Sequence, residues 1–199
     1  MNLLRNAFLG AVALTFSLAF TQIAQAGPAE DFVRAKHANL TAELRKPASP
    51  ARQAAVNQML EGFFDFDRLT KEALGRHYDD LSPSEFNELK GLLQELVTKN
   101  YRKNIEKTLN FDVAFLGDDE VSGGQDRKIR TQATKRGSSD KPVEIEYVLH
   151  KKGDKWIVFD VITEGSSMLR TYRNQFGKTI RQDGFATLLA KLRERIEKS

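Results

Sequence analysis

One carboxylate in the sequence lies where a general base could act. Asp160 interrupts the apolar run from Trp156 to Ile162, and a buried carboxylate with a raised pKa can abstract a proton inside a cavity. A structural explanation competes with this one, because an Asp in such a strand can instead accept backbone N–H bonds or face an arginine. The sequence leaves both explanations open and favours the structural one.

The other reactive side chains form no catalytic pattern. The three histidines, His37, His77 and His150, occur at none of the spacings typical of metal ligands, and the chain has no cysteine. Ser166 and Ser167 lack a G-x-S-x-G motif and are better placed to cap a following helix. We therefore expect no metal, no cofactor and no catalytic residues.

The overall composition is that of a globular protein. Hydrophobic residues make up 40% of the 199 residues and charged residues 29%. The formal net charge of +4 is a mild excess spread along the chain. It excludes a strongly polybasic nucleic-acid tail, so we expect no nucleic-acid partner. Nothing in the sequence calls for more than a monomer.

The first 26 residues have the parts of a secretory signal peptide. Arg5 supplies the positive charge, residues 7–20 are uncharged and mostly apolar, and Ala24-Gln25-Ala26 is a small-x-small cleavage site. The apolar run is shorter than the roughly 20 residues of a membrane-spanning helix. We predict cleavage after Ala26, a single domain over residues 27–199, and a location in a Gram-negative periplasm.

The first half of the mature chain has the apolar spacing of helices. Asp65 can cap a short helix that ends at Gly75. Ser82 and Glu85 have the spacing of a capping box, and a long helix is predicted from there to Leu109.

The hydrophobic period then changes to two, which predicts strands. Residues 111–115 and 143–149 alternate between apolar and mostly polar side chains. Residues 156–162 are apolar on both faces apart from Asp160, which predicts the most buried strand. Residues 127–135 are mostly polar on both faces, which predicts a wet or edge strand.

Two more helices follow the strands and are separated by Asp183-Gly184. The order of helices, four strands and helices predicts an α+β fold. We expect a four-stranded twisted antiparallel sheet, packed on one face by the N- and C-terminal helices. The mature chain is rich in aromatic residues, and these can build either an ordinary core or a cavity for an apolar ligand.

Several segments resemble the MlaC (toluene-tolerance) family. Val158–Leu169 contains the pattern D-V-x-x-E-G-x-S, Tyr172–Phe176 reads Y-R-x-Q-F, and Gly184–Leu192 reads G-F-x-x-L-L-x-x-L. A weaker match covers Phe66–Gly75. The resemblance extends over Pro28–Lys198, essentially the whole mature chain.

This resemblance implies a periplasmic phospholipid-binding carrier, not an enzyme, that shuttles lipid between the inner and outer membranes and maintains outer-membrane lipid asymmetry. It also implies two partners, the lipid-binding subunit of an inner-membrane ABC transporter and an outer-membrane lipoprotein complex. Three alternatives stay open: a carrier of another apolar lipid such as a hopanoid, a small hydrolase or isomerase with Asp160 as base, and a periplasmic adaptor.

A carrier of this kind needs an apolar lipid cavity between the sheet and the helices. We expect its walls to be the strand residues that face the helices and the inner faces of the helices. The predicted lipid-binding residues are Phe66, Leu69, Leu93, Val97, Tyr101, Val113, Phe115, Tyr147, Leu149, Val158, Met168, Leu169, Tyr172 and Phe176. A charge at Val97 or Leu169 is then expected to expel the lipid.

Overall fold

The computed structural model of the protein describes residues 27–198, without the side chains of residues 102–106. The signal peptide predicted over residues 1–26 lies outside the described residues. Within them, no helix is both long enough and apolar enough to cross a bilayer.

The described chain contains helices, then an antiparallel meander, then two further helices. The α-helices are α1 (Pro28–Leu44), α2 (Pro50–Glu61), α3 (Phe66–Leu74), α4 (Pro83–Ile105), α5 (Met168–Asp183) and α6 (Phe185–Lys198). The strands are β1 (Phe111–Val121), β2 (Asp126–Lys135), β3 (Val143–Lys152), β4 (Lys155–Thr163) and β5 (Ser166–Ser167).

Local hydrogen bonds begin the helices where the sequence predicts. The Asp65 carboxylate accepts the backbone N–H of Arg68 at 3.2 Å and caps α3. In the capping box of α4, the Ser82 N–H donates to Glu85 Oε2 at 2.8 Å, and the Glu85 N–H donates to Ser82 Oγ at 3.3 Å. Gly75 ends α3 at a φ of +56°, a conformation that favours glycine.

Helix α4 is shorter than the prediction. It ends at Ile105, and a 3₁₀ segment, Glu106–Asn110, leads into β1 instead of a continuous helix to Leu109. The carbonyl of Asn110 accepts the backbone N–H of Arg136 at 2.9 Å. This carbonyl therefore already belongs to the hydrogen bonding of the sheet, directly after the 3₁₀ segment.

The predicted α+β fold is confirmed, with one strand more than expected. The five strands lie in the order β1-β2-β3-β4-β5, and every neighbouring pair is antiparallel. The additional strand, β5, has two residues and pairs Ser167 with Ile162. Glu164 and Gly165, both at positive φ, form the turn that brings β5 back beside β4.

Strand β2 is an interior strand with an outer face that is exposed at Arg130 and Thr134, so of the predicted wet or edge strand the edge is wrong. Ile129 and Ala133 are buried on its inner face. Its charges pair with carboxylates on both neighbouring strands: Arg127 Nε donates to Asp118 Oδ1 at 2.6 Å, and Lys128 Nζ lies 3.5 Å from Glu146 Oε2. Cross-strand ion pairs make a polar face compatible with an interior strand, and β1 is one edge of the sheet.

Arg68 links α3 to the start of β2. Its guanidinium donates two hydrogen bonds to the Asp126 carboxylate, at 2.7 and 2.8 Å, and lies 3.6 Å from the centre of the Phe159 ring. Burial acts to raise the pKa of Asp126, but the hydrogen bonds and charge of Arg68 hold this pKa below its ordinary value. The pair is therefore ionised and stabilises the contact between helix and sheet.

We expect Arg68→Ala to lower the free energy of unfolding by about 3 kcal/mol or more, because it leaves the buried Asp126 carboxylate without its partner. Urea unfolding measures this. Arg136→Ala is the control, because the Arg136–Asp112 pair is exposed and its loss costs about 1 kcal/mol at most. Equal losses in the two variants would contradict the prediction.

Candidate functional site

A cavity of about 580 Å³ lies between the sheet and the helices. Its volume falls within the range of about 300–1,000 Å³ that is typical of ligand sites. The strands supply one wall, the helices α1 and α2 another, and α4 and α5 contribute side chains between them.

The strand wall is mainly apolar. Because neighbouring strands are in register, Val113 lies opposite Ala133, and Ala133 lies opposite Val143. Ile145 and Val161 extend this surface towards β4. The alternation of β1 and β3 read in the sequence therefore places one continuous apolar surface against the cavity.

Three tyrosines, Tyr101, Tyr147 and Tyr172, line the cavity from α4, β3 and α5. Burial raises the pKa of Tyr147 to about 12 and that of Tyr101 further. The acidic groups of Tyr147, Asp160 and Tyr172 add to the rise at Tyr101. These phenols are neutral at physiological pH, so they offer ring surface and neutral hydroxyls rather than a base.

Helix α1 presents one face to the cavity. This face carries Val33, Lys36, His37 and Leu40, at spacings of three, four and seven residues from the first. Burial lowers the pKa of His37, so its imidazole is neutral at pH 7. Met59 and Leu60 of α2 and Phe63 after it complete this wall.

The lining residues with the greatest exposure to solvent mark where the cavity opens. They come from the 3₁₀ segment before β1, from the end of β4, from β5 and from the last two helices, and they are Thr108, Thr163, Ser166, Thr171, Gln175 and Arg195. Arg195 donates a hydrogen bond to Gln175 Oε1 at 2.9 Å. The opening is therefore polar, whereas the strand wall is apolar.

The structure places five of the fourteen predicted residues at the cavity. These are Tyr101, Val113, Tyr147, Met168 and Tyr172. The other nine do not line it, and all of them belong to the main hydrophobic core or pack against it: Phe66, Leu69, Leu93, Val97, Phe115, Leu149, Val158, Leu169 and Phe176. Contact between lipid and the five lining residues stays a prediction.

The inner face of the sheet divides into two parts, which explains this outcome. The chain between α2 and α3 pairs with β4 near Val158: the Val158 N–H donates to the Phe63 carbonyl at 3.0 Å, and the Asp65 N–H donates to the Val158 carbonyl at 2.7 Å. This bridge extends the edge of β4 and brings Phe64 and Phe66 into the main core, which also contains Leu149 and Val158. The cavity occupies the other part, near Val143 and Thr163.

Sequence reasoning missed the wall formed by α1 and α2. A signal was present in α1, because Lys36 and His37 interrupt an otherwise apolar stripe from Val33 to Leu40. Polar groups inside the buried stripe of a helix indicate a surface that faces a cavity or water rather than a sealed core.

The carboxylate of Asp160 accepts hydrogen bonds from residues at the start of α5. It accepts the Ser167 hydroxyl at 2.7 Å and the Leu169 backbone N–H at 2.8 Å, while Ser167 itself caps α5 by accepting the Arg170 N–H. Asp160 is not among the residues that line the cavity. Its oxygens therefore hold the start of α5 against β4, as the structural explanation expected.

We expect Asp160→Asn to lower the free energy of unfolding by about 1–3 kcal/mol, because the amide cannot accept both bonds. Its lipid content should equal that of the wild type. Urea unfolding and lipid extraction measure the two quantities. An unchanged stability together with a loss of lipid would contradict this prediction.

The difference in stability between the wild type and Asp160→Asn should depend on pH. Burial raises the pKa of Asp160 above its ordinary 3.8, although its hydrogen bonds oppose the rise. Folding then favours the protonated carboxyl, so this group's contribution to stability is present at low pH and is lost as pH rises through the folded-state pKa. The stability advantage of the wild type over Asp160→Asn should shrink as the pH increases from 4. A growing advantage would contradict this assignment.

The histidines and carboxylates of the described residues are dispersed with respect to metal binding. Within residues 27–198, no three His, Asp or Glu side chains come together as metal ligands. His77 Nδ1 lies 3.8 Å from one carboxylate oxygen of Asp80, which is a distant ion pair rather than a binding site.

Comparison with known proteins agrees with the fold. The model of the MlaC protein family matches residues 34–194. A phospholipid-binding protein from Ralstonia solanacearum, solved in complex with a phospholipid, has 23% sequence identity and a TM-score of 0.73; the match covers 86% of this chain and 98% of that one. Comparison with curated proteins yields no match. Because the family match extends over most of its length, this chain belongs to the MlaC protein family.

Proposed function

We propose that this protein binds a phospholipid in its cavity and carries it between the inner and outer membranes. The observation that carries this proposal is the cavity of about 580 Å³ with an apolar strand wall and a polar opening. Acyl chains suit the apolar wall, and the opening leaves the head group in contact with water. The relative from Ralstonia solanacearum, which holds a phospholipid on the same fold, supports the proposal.

The energetics of burial suit a carrier. Each methylene moved out of water gains about 0.8 kcal/mol, so a chain of some fifteen methylenes gains roughly 12 kcal/mol before the costs of ordering are subtracted. A carrier must return its lipid to a membrane, where the same chain is equally sheltered. A cavity that shelters the acyl chain about as well as a membrane does therefore makes the free energies of loading and of release nearly equal.

Export belongs to the same proposal. The signal-peptide pattern of residues 1–26 supports a periplasmic protein cleaved after Ala26. Intact-mass measurement of the protein from a periplasmic fraction should give Gly27 as its first residue. A product that retains residues 1–26 would instead indicate a membrane anchor. The expected partners are the lipid-binding subunit of an ABC transporter and an outer-membrane lipoprotein complex.

Lipid binding is tested by extraction of the purified mature protein with organic solvent, followed by mass spectrometry. We expect close to one phospholipid per chain. A hopanoid in its place would support the alternative carrier, and a blank after gentle purification would contradict lipid binding altogether.

Carriage is tested with two populations of vesicles. Donor vesicles contain a labelled phospholipid and acceptor vesicles do not. A porous membrane that passes the protein but retains the vesicles separates the two populations. We expect the label to reach the acceptors in proportion to the amount of protein. A protein that binds lipid but moves no label would refute the carrier function and leave a lipid-binding one.

A further inference from the structure

Among the side chains that the structure describes, the formally charged ones that line the cavity are cationic. Among the described residues the lining includes Lys36 and Arg195 but no Asp or Glu, although the chain carries 27 acidic residues against 31 basic ones. With acidic and basic residues almost equally frequent in the chain, two cations and no carboxylate among the described lining residues favour a ligand that carries a negative charge.

Lys36 has no carboxylate partner among the described residues. Its ammonium lies 5.4 Å from the centre of the Phe32 ring, which is a weak interaction. Other lysines at comparable exposure are paired: Lys90, for example, lies 2.8 Å from Asp67. An unpaired ammonium beside an apolar cavity is available to an anion that enters with the ligand.

The second cation is Arg195, and its charge acts on a tyrosine of the cavity wall. Burial raises the pKa of Tyr172, and the positive charge of Arg195 partly opposes that rise. The field of this guanidinium therefore reaches a phenol that lines the cavity. Its hydrogen bond to Gln175, 2.9 Å long, orients the side chain at the opening.

We propose that the cavity selects phospholipids whose head group has a net negative charge over zwitterionic ones. This inference rests on the proposed lipid binding. The phosphate of any phospholipid is attracted by Lys36 and Arg195, but an ethanolamine head group also brings an ammonium that these cations repel. A glycerol head group brings no such charge, so its phosphate keeps the full attraction.

The test uses vesicles that contain equal amounts of phosphatidylglycerol and phosphatidylethanolamine with identical acyl chains. Because both lipids share each vesicle, attraction of the basic protein to a charged surface does not bias the comparison. Delipidated protein is incubated with the vesicles and separated, and its lipid is extracted for mass spectrometry. We expect phosphatidylglycerol to be enriched about threefold to tenfold over the vesicle composition, the range for partly screened charge pairs.

The double variant Lys36→Gln/Arg195→Gln should bind lipid at the vesicle ratio. Lys178→Gln/Arg181→Gln is the matched control, because it removes two exposed cations of α5 that do not line the cavity; it should keep the enrichment. Thermal unfolding must first show that both variants are folded. Wild-type protein with lipid at the vesicle ratio, or equal enrichment in both variants, would overturn the selectivity alone. Wild-type protein without any phospholipid would overturn the proposed function as well.

Discussion

The variant Val113→Asp is expected to fold and to purify without lipid. Val113 lines the cavity and is only half-buried, so water in the empty cavity can hydrate the new carboxylate. An acyl chain in the same space would have to remove that water or neutralise the group, at a cost of several kcal/mol. Lipid occupancy should therefore fall at least about tenfold, since 1.4 kcal/mol already corresponds to that factor.

The control for this variant is its neighbour in the same strand. Ala114 is exposed and points to the opposite face of β1, so Ala114→Asp adds the same charge at almost the same place without entering the cavity. Extraction and mass spectrometry should find normal lipid in Ala114→Asp. Equal lipid in the two variants would show that the acyl chains do not lie against the strand wall.

The variant Val97→Glu is expected to lose its fold rather than only its lipid. Val97 is 2% exposed in the main core and does not line the cavity. The glutamate has no partner there, and an unpaired buried charge costs about 4 kcal/mol or more. That is a large part of the roughly 5–15 kcal/mol that stabilises a typical domain.

This expectation replaces the one drawn from the sequence, in which a charge at Val97 or Leu169 empties the cavity. Circular dichroism and urea unfolding distinguish the two. The control is Asn87→Glu, on an exposed position of α4, which should change the unfolding free energy by about 0.5 kcal/mol at most. A folded, lipid-free Val97→Glu protein would show that Val97 faces the lipid after all.

The elements of this fold follow from signals that act over a few residues. The capping box of Ser82 and Glu85 is complete within four residues, and the Asp65 cap joins residues three apart. Strand alternation likewise needs only neighbouring residues, which is why the inward face of β1 and β3 could be read directly. Asp160 was recognised as exceptional for the same reason, because one carboxylate in an apolar run is a local signal.

The position of the cavity depends on elements that are distant in the sequence. Leu149 and Tyr147 face the same side of β3, yet Leu149 is sealed in the core and Tyr147 lines the cavity. The difference arises because the bridge between Phe64 and Val158 brings Phe64 and Phe66 to β4, where they share the main core with Leu149 and cover that part of the sheet. Alternation has the same period along the whole strand, so it carries no information about which part is covered.

The same argument applies to β2 and to α1. Local hydrogen bonds and hydrophobic period, which the sequence records, predict the helices, the meander and the inward faces of β1 and β3. Two features depend on the tertiary structure: Arg127 of β2 forms an ion pair with Asp118 of β1, and Lys36 of α1 lines the cavity. A cavity is the space that packed elements leave unfilled, and its position depends on how far distant segments approach one another, which no local pattern records.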